Sequence, residues 1–165
     1  KPTRRDFIYT LTATLGVLGA GASVWPIVSQ MNPDSSVKAL STVEVDISKV
    51  EEGKEITVMW RGKPVFIKRR TENEVKSARN ISLEELPHPE TDKKRVIKDE
   101  WLVVVGICTH LGCVPINGKG EYGGWFCPCH GSHYDTSGRI RKGPAPTNLE
   151  VPKYKFVGND KIIIG

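Results

Sequence analysis

Residues 108–113 read Cys108-Thr109-His110-Leu111-Gly112-Cys113, and residues 127–135 read Cys127-Pro128-Cys129-His130-Gly131-Ser132-His133-Tyr134-Asp135. Each stretch opens on a Cys/His pair, Cys-x-His in the first and Cys-x-x-His in the second. A short loop can present two such donors to a metal at small entropic cost. All four cysteines of the chain lie in these two stretches. Cysteines crowded beside histidines indicate a metal site, a disulfide or both. A structural zinc site of the Cys₂His₂ type draws on the same donors. The residues alone leave the metal open.

Outward from these loops, strand patterns dominate. Leu102-Val103-Val104-Val105 reads as a buried strand running into the first loop, and Trp125-Phe126 leads into the second. Val43-Glu44-Val45-Asp46-Ile47 alternates apolar with polar residues, and Ile56 to Trp60 does so in part. Val65-Phe66-Ile67 follows Arg61-Gly62-Lys63-Pro64, a hairpin signal. Lys155 to Val157 and Lys161 to Ile164 complete the set. Glu72 to Arg79 predicts a short helix. Ile81 to Arg95, with Pro87, Pro89 and many charges, predicts a loop with a helical turn at Ser82 to Leu86. Many short strands between Gly/Pro turns imply a mainly β fold, an antiparallel sandwich or barrel.

The amino terminus is of another kind. No charged residue occurs between Phe7 and Pro33. A helix from Phe7 to Ser29 extends roughly 34 Å at about 1.5 Å per residue, enough for a hydrocarbon core of about 30 Å. Tyr9 and Trp25 suit the two interfaces, and Gly16, Gly19, Gly21 and Ala22 leave a smooth side for close helix packing. Lys1, Arg4 and Arg5 precede the apolar run, which places the start in the cytoplasm and the bulk across the membrane. A cleaved secretory signal is the alternative; the run is long for one and no crisp small-x-small site follows it. The expected organisation is a transmembrane anchor at 1–31, a flexible polar hinge at 32–42, and a β head at 43–165. The net charge of +5 comes from Lys and Arg interleaved with Glu and Asp. That pattern reads as a solvated surface and speaks against nucleic-acid binding.

The two cysteine loops resemble those of the Rieske family, and Trp60-Arg61-Gly62-Lys63-Pro64-Val65 resembles its respiratory, quinol-oxidising branch. The resemblance implies the Rieske fold, with a cluster-binding subdomain at about 106–147 and one [2Fe–2S] cluster. Two histidines replacing two cysteines on one iron is the general rule for such centres, not something the spacing proves. Carried across, Cys108 and Cys127 bind one iron, and His110 and His130 the other. Cys113 and Cys129 then correspond to the family's loop-clamping disulfide, which suits an exported head. Ser132 and Tyr134 correspond to hydroxyl donors to a bridging sulfide and a cysteine sulfur, and such donors raise the potential. Gly143-Pro144-Ala145-Pro146 resembles the family's proline loop over the cluster. Leu111 is expected on the docking surface, and His133 and His88 are expected not to be ligands. Thr3-Arg4-Arg5-Asp6-Phe7-Ile8 looks like a twin-arginine export signal, which favours a bacterial plasma membrane and a periplasmic head.

What this implies for function is electron transfer within a quinol–cytochrome c oxidoreductase. The cluster would take an electron from quinol, coupled to a proton on His110 or His130, and pass it to a c-type cytochrome subunit. A cytochrome b subunit, the lipid bilayer and a dimeric complex are the other implied partners, with no complete turnover by this chain alone. A soluble Rieske ferredoxin would carry neither the anchor nor the Cys113/Cys129 pair. The Rieske subunit of an exported molybdenum oxidase, arsenite-oxidase-like, is the nearest electron-transfer rival. A zinc-stapled binding module is the rival from another class.

Overall fold

The computed structural model describes residues 2–32 and 41–165. Two compact units emerge, one on each side of residue 40. The expected hinge at 32–42 falls mostly on residues 33–40, outside the described residues.

The first unit is helix α1, Arg4–Ser29. Thr3 caps it: its side chain accepts from the Asp6 N–H, while the Asp6 carboxylate accepts from Thr3 N. This reciprocal box satisfies two orphan donors and sharpens the start. No residue of α1 is buried within the protein. Among the described residues it is the one helix long and apolar enough to cross a membrane. The Thr10, Thr14 and Ser23 hydroxyls donate back to carbonyls one turn earlier, so the apolar segment carries no unsatisfied hydroxyl at those positions.

The second unit contains three antiparallel sheets. Strands β1 (Val43–Asp46), β9 (Tyr154–Val157) and β10 (Lys161–Ile164) form one, in the order β1-β10-β9. Strands β2 (Glu55–Trp60), β3 (Lys63–Arg69) and β4 (Trp101–Val105) form the second in chain order. Strands β5 (Ile116–Asn117), β6 (Gly123–Cys127), β7 (Ser132–Asp135) and β8 (Ile140–Lys142) form the third. Helix α2 (Glu72–Arg79), a 3₁₀ turn (Leu83–Glu85) and the short α3 (Asp92–Arg95) fill the connection from β3 to β4.

The middle sheet explains the unbroken apolar run 101–105. Successive strand residues point to opposite faces. Val65, Ile67, Trp101, Val103 and Val105 pack with Val45, Ile162 and Ile164 of the first sheet and with Ile47 just beyond β1. Phe66, Leu102 and Val104 pack with Trp125, Tyr134 and Ile140 of the third. β3 and β4 are therefore buried on both faces. The third sheet is held against this middle layer, and it carries the second cysteine loop between β6 and β7.

The expected charge distribution needs correction. The interleaved charges imply a solvated surface, yet Lys68, Arg70, Arg95 and Arg139 are buried, together with Asp92 and Asp135. Arg70 Nη1 lies 2.6 Å from Asp92 Oδ1, both side chains essentially inaccessible. The same Asp92 oxygen accepts from the Ser137 hydroxyl at 2.7 Å. Arg95 donates to Ser137 O and Leu149 O, and Arg139 to Asp135 and to Ala78 O. Backbone carbonyls left unpaired by the irregular 80–100 segment and the Asp135–Arg139 turn need buried donors, and the planar guanidinium supplies several from one side chain. The segment expected as loop up to Arg95 thus ends in a helical turn whose buried Asp92 and Arg95 anchor this network.

Burial pushes the Asp92 carboxyl up, but Arg70, Ser137 and Arg79 more than offset this and hold it below its ordinary value. Asp92 therefore stabilises the fold fully above its unfolded pKa near ~3.9 and loses that contribution as pH falls through its lower folded value. Asp92→Ala should cost about 3–5 kcal/mol in chemical denaturation, since it strands the Arg70 guanidinium in the interior. A loss below about 1 kcal/mol would show that the pair is not structural.

Candidate metal centre

The two loops have the same local construction. After β4, Gly112 N–H donates to Cys108 O; after β6, Gly131 N–H donates to Cys127 O, each at 3.0 Å. Gly112 and Gly131 adopt φ of 85° and 76°, a region that excludes most side chains. Each loop is thus a tight turn that reverses immediately after its Cys/His pair.

The turns bring the expected donors together. Cys108 and Cys127 are free thiols and buried. His110 Nδ1 and His130 Nδ1 face each other at 3.2 Å, their rings meeting edge to face. Two ring nitrogens at this distance cannot both present lone pairs; a proton or a cation must stand between them. Cys113 and Cys129 form a disulfide joining the loops, with S–S 2.15 Å. The sulfurs of Cys113, Cys127 and Cys129 lie within 4.8 Å of one another. Since two of the three are spent in the disulfide, they do not make a thiolate site. The available set is two buried thiols and two convergent imidazoles, a donor chemistry that fits a mixed Cys/His iron–sulfur centre.

Hydrogen bonds set the thiols apart. The Tyr134 hydroxyl donates to Cys108 Sγ at 3.2 Å and accepts from Thr109 N at 3.3 Å. Burial pushes the Cys108 thiol up, but the Tyr134 hydroxyl and the His110 N–H more than offset it, leaving it below the ordinary thiol value. Cys127 is shifted upward, by burial first and by its Cys108 neighbour. Tyr134, fully buried, is pushed up by burial and by Cys108. Ser132 Oγ accepts from Ala145 N at 3.2 Å, which ties the proline segment to the second loop.

Leu111 is 71% exposed at the tip of the first loop. His133 and His88 stand apart from the donor set: His133 Nδ1 accepts from Glu121 N, and His88 Nδ1 from Asn148 N. One residue was missed. Thr109, between Cys108 and His110, donates from Oγ1 to Thr147 O at 2.7 Å and so ties the first loop to the chain beyond the proline segment. A small hydroxyl residue between two donor residues was the signal available for it.

The paired cysteines lie sixteen positions apart in the chain. Closing a loop of that size is worth about 3 kcal/mol by chain entropy. Replacing both Cys113 and Cys129 by Ser should lower head stability by about that amount in denaturant titration. An unchanged midpoint would mean the loops are held without the bridge.

Comparison with known proteins agrees with this geometry. Residues 41–155 match the family described as Rieske [2Fe-2S] domain. Residues 1–34 match the family described as ubiquinol–cytochrome c reductase Fe–S subunit TAT signal. The ubiquinol–cytochrome c reductase iron–sulfur subunit of Bradyrhizobium diazoefficiens is 53% identical, over 99% of this chain and 95% of that one. The subunit of the same name from Rickettsia prowazekii is 54% identical, over 99% and 93%. A chain from the solved structure titled hyperthermophilic respiratory Complex III aligns with a TM-score of 0.57 at 28% identity, over 93% of this chain and 98% of that one. A resemblance seen first in two short loops thus extends along nearly the whole length, and this chain belongs to the Rieske family of ubiquinol–cytochrome c reductase iron–sulfur subunits.

Proposed function

We propose that this chain is the electron-transfer subunit of a quinol–cytochrome c oxidoreductase, with Cys108, Cys127, His110 and His130 holding its [2Fe–2S] cluster. The observation that carries the proposal is the 3.2 Å approach of His110 Nδ1 to His130 Nδ1 beside two buried free thiols, in loops joined by a disulfide. On this reading residues 1–31 anchor the subunit, 32–42 tether it, and 43–165 form the head, with cluster binding confined to about 106–147. The twin-arginine match and Lys1, Arg4 and Arg5 support a cytoplasmic amino terminus and a periplasmic head in a bacterial plasma membrane.

When bound, the cluster supplies a one-electron centre whose neutral imidazole ligands lift its potential above that of an all-thiolate centre. The chain's own residues do the rest. Converging Nδ1 atoms leave Nε2, on the far edge of each ring, as the atom that accepts a hydrogen bond and then a proton from the quinol hydroxyl. The Tyr134 hydroxyl and the Ser132 hydroxyl stabilise added negative charge at sulfur. Exposed Leu111 beside His110 gives the substrate an apolar wall. A cluster at a loop tip supplies only part of a pocket, so a cytochrome b subunit closes it, and a c-type cytochrome subunit takes the electron onward in a dimeric complex.

Protein purified from membranes should be red-brown, with iron and acid-labile sulfide in equal amounts; a colourless zinc protein would overturn the proposal. Tyr134→Phe should keep the cluster but lower its midpoint potential, because one hydrogen bond to sulfur is lost. The potential should also fall as pH rises, because a proton leaves a ligand histidine on oxidation. A potential independent of pH up to strongly alkaline conditions would remove the histidines from the proton step.

A further inference from the structure

One ionisable group, Glu55, touches the frame that carries both loops. Glu55 opens β2, opposite Lys68 of β3. Its Oε2 accepts a 2.9 Å hydrogen bond from the indole N–H of Trp125. Trp125 is fully inaccessible and lies on β6 just ahead of Cys127. Its ring is parallel to that of Phe66, with centroids 6.1 Å apart. Phe66 in turn occupies the space beside Gly106 that a side chain there would need, on the approach to Cys108. One carboxylate thus ends a stack that reaches both segments running into the cysteine loops.

The charges facing Glu55 are few. From β3 comes Lys68, whose Nζ lies 5.4 Å from the Trp125 ring centroid. That ammonium is already engaged by Glu74 of α2 at 2.7 Å and donates to Asn117 Oδ1 of β5 at 3.2 Å. From β6 comes only the neutral indole donor. Burial pushes the Glu55 carboxyl up to about 7, which the indole N–H and Lys68 offset only in part.

We propose that Glu55 is a positioning residue for the second cysteine loop, acting through Trp125, whose hold it changes by gaining or losing a proton. The proposal rests on the reading of the two loops as the cluster site. An ionised carboxylate is the stronger acceptor for the indole N–H. It also adds a negative charge to the frame of the cluster, which disfavours an added electron. The midpoint potential therefore falls as pH rises through the Glu55 ionisation, and by linkage reduction raises the affinity of Glu55 for its proton. Stability has the matching sign. A carboxyl raised in the folded state favours folding below its unfolded value near ~4.3, and that contribution is lost as pH rises through the folded value.

The test uses the membrane-purified complex and the full-length chain, each as wild type, Glu55→Gln and Trp125→Phe. Gln retains an acceptor for the indole but cannot ionise. The wild-type potential should show a Glu55-dependent step down near neutral pH, over and above any fall due to the ligand histidines. Glu55→Gln should lack that step. Trp125→Phe should move it to higher pH, because the donor that favours the carboxylate is gone. In thermal unfolding, Glu55→Gln should match wild type below about pH 4 and melt higher near about pH 8. A step that persists in Glu55→Gln, or one that Trp125→Phe leaves in place, overturns the proposal. A melting difference with no potential step overturns the link between Glu55 and the loop. A sample without iron or labile sulfide has no potential to measure and defeats the reading of the loops instead, while the melting comparison still decides whether Glu55 titrates.

Discussion

Two short turns from different parts of the chain meet, with His110 Nδ1 and His130 Nδ1 3.2 Å apart and the buried thiols Cys108 and Cys127 in the same two turns. One leaves β4 and the other joins β6 to β7. Neither turn can hold its own position, since each reverses within a few residues and exposes its tip. A disulfide links them directly. Ser132 and Thr109 tie them to the segment around Pro144 and Pro146 through Ala145 N and Thr147 O. Tyr134 reaches from β7 to Cys108 of the other turn. The histidines approach to 3.2 Å because all of these bonds act on the same pair of loops.

The layers below exist in the service of that meeting. β4 delivers the first turn from a sheet buried on both faces, so its end is fixed by packing above and below. The second turn belongs to a sheet with few and short strands, which alone would be marginal. Its turn from Asp135 to Arg139 is instead clamped by Arg95, Arg139 and Ser137 to helices α2 and α3. Polar contacts are directional, unlike apolar packing, and so fix the angle as well as the distance between the layers. Glu55 and Trp125 add a hold of the same kind nearer the donors.

Much of this was legible in the residues. Alternation marked β1, and the capping pair Thr71 and Glu74 accounts for the start of the helix expected at Glu72. The unbroken run 102–105 marked a strand with two buried faces, and the Cys/His spacing marked the loops. What was not legible has a common physical cause. β5, β7 and β8 are two to four residues long and lie among glycines and charges, so no periodicity can develop in them. Arg70, Asp92, Arg95 and Arg139 look like surface residues one at a time. Only the fold shows that the carbonyls around residues 78, 137 and 149 need their donors.

In the arrangement we propose, two imidazoles and two thiols from these turns grip one pair of irons. Electron–nuclear double resonance on the reduced protein, labelled with ¹⁵N only at histidine, tests it most directly. Two strongly coupled histidine nitrogens at the cluster are the predicted result. A paramagnetic centre with no histidine nitrogen coupled to it would contradict the account.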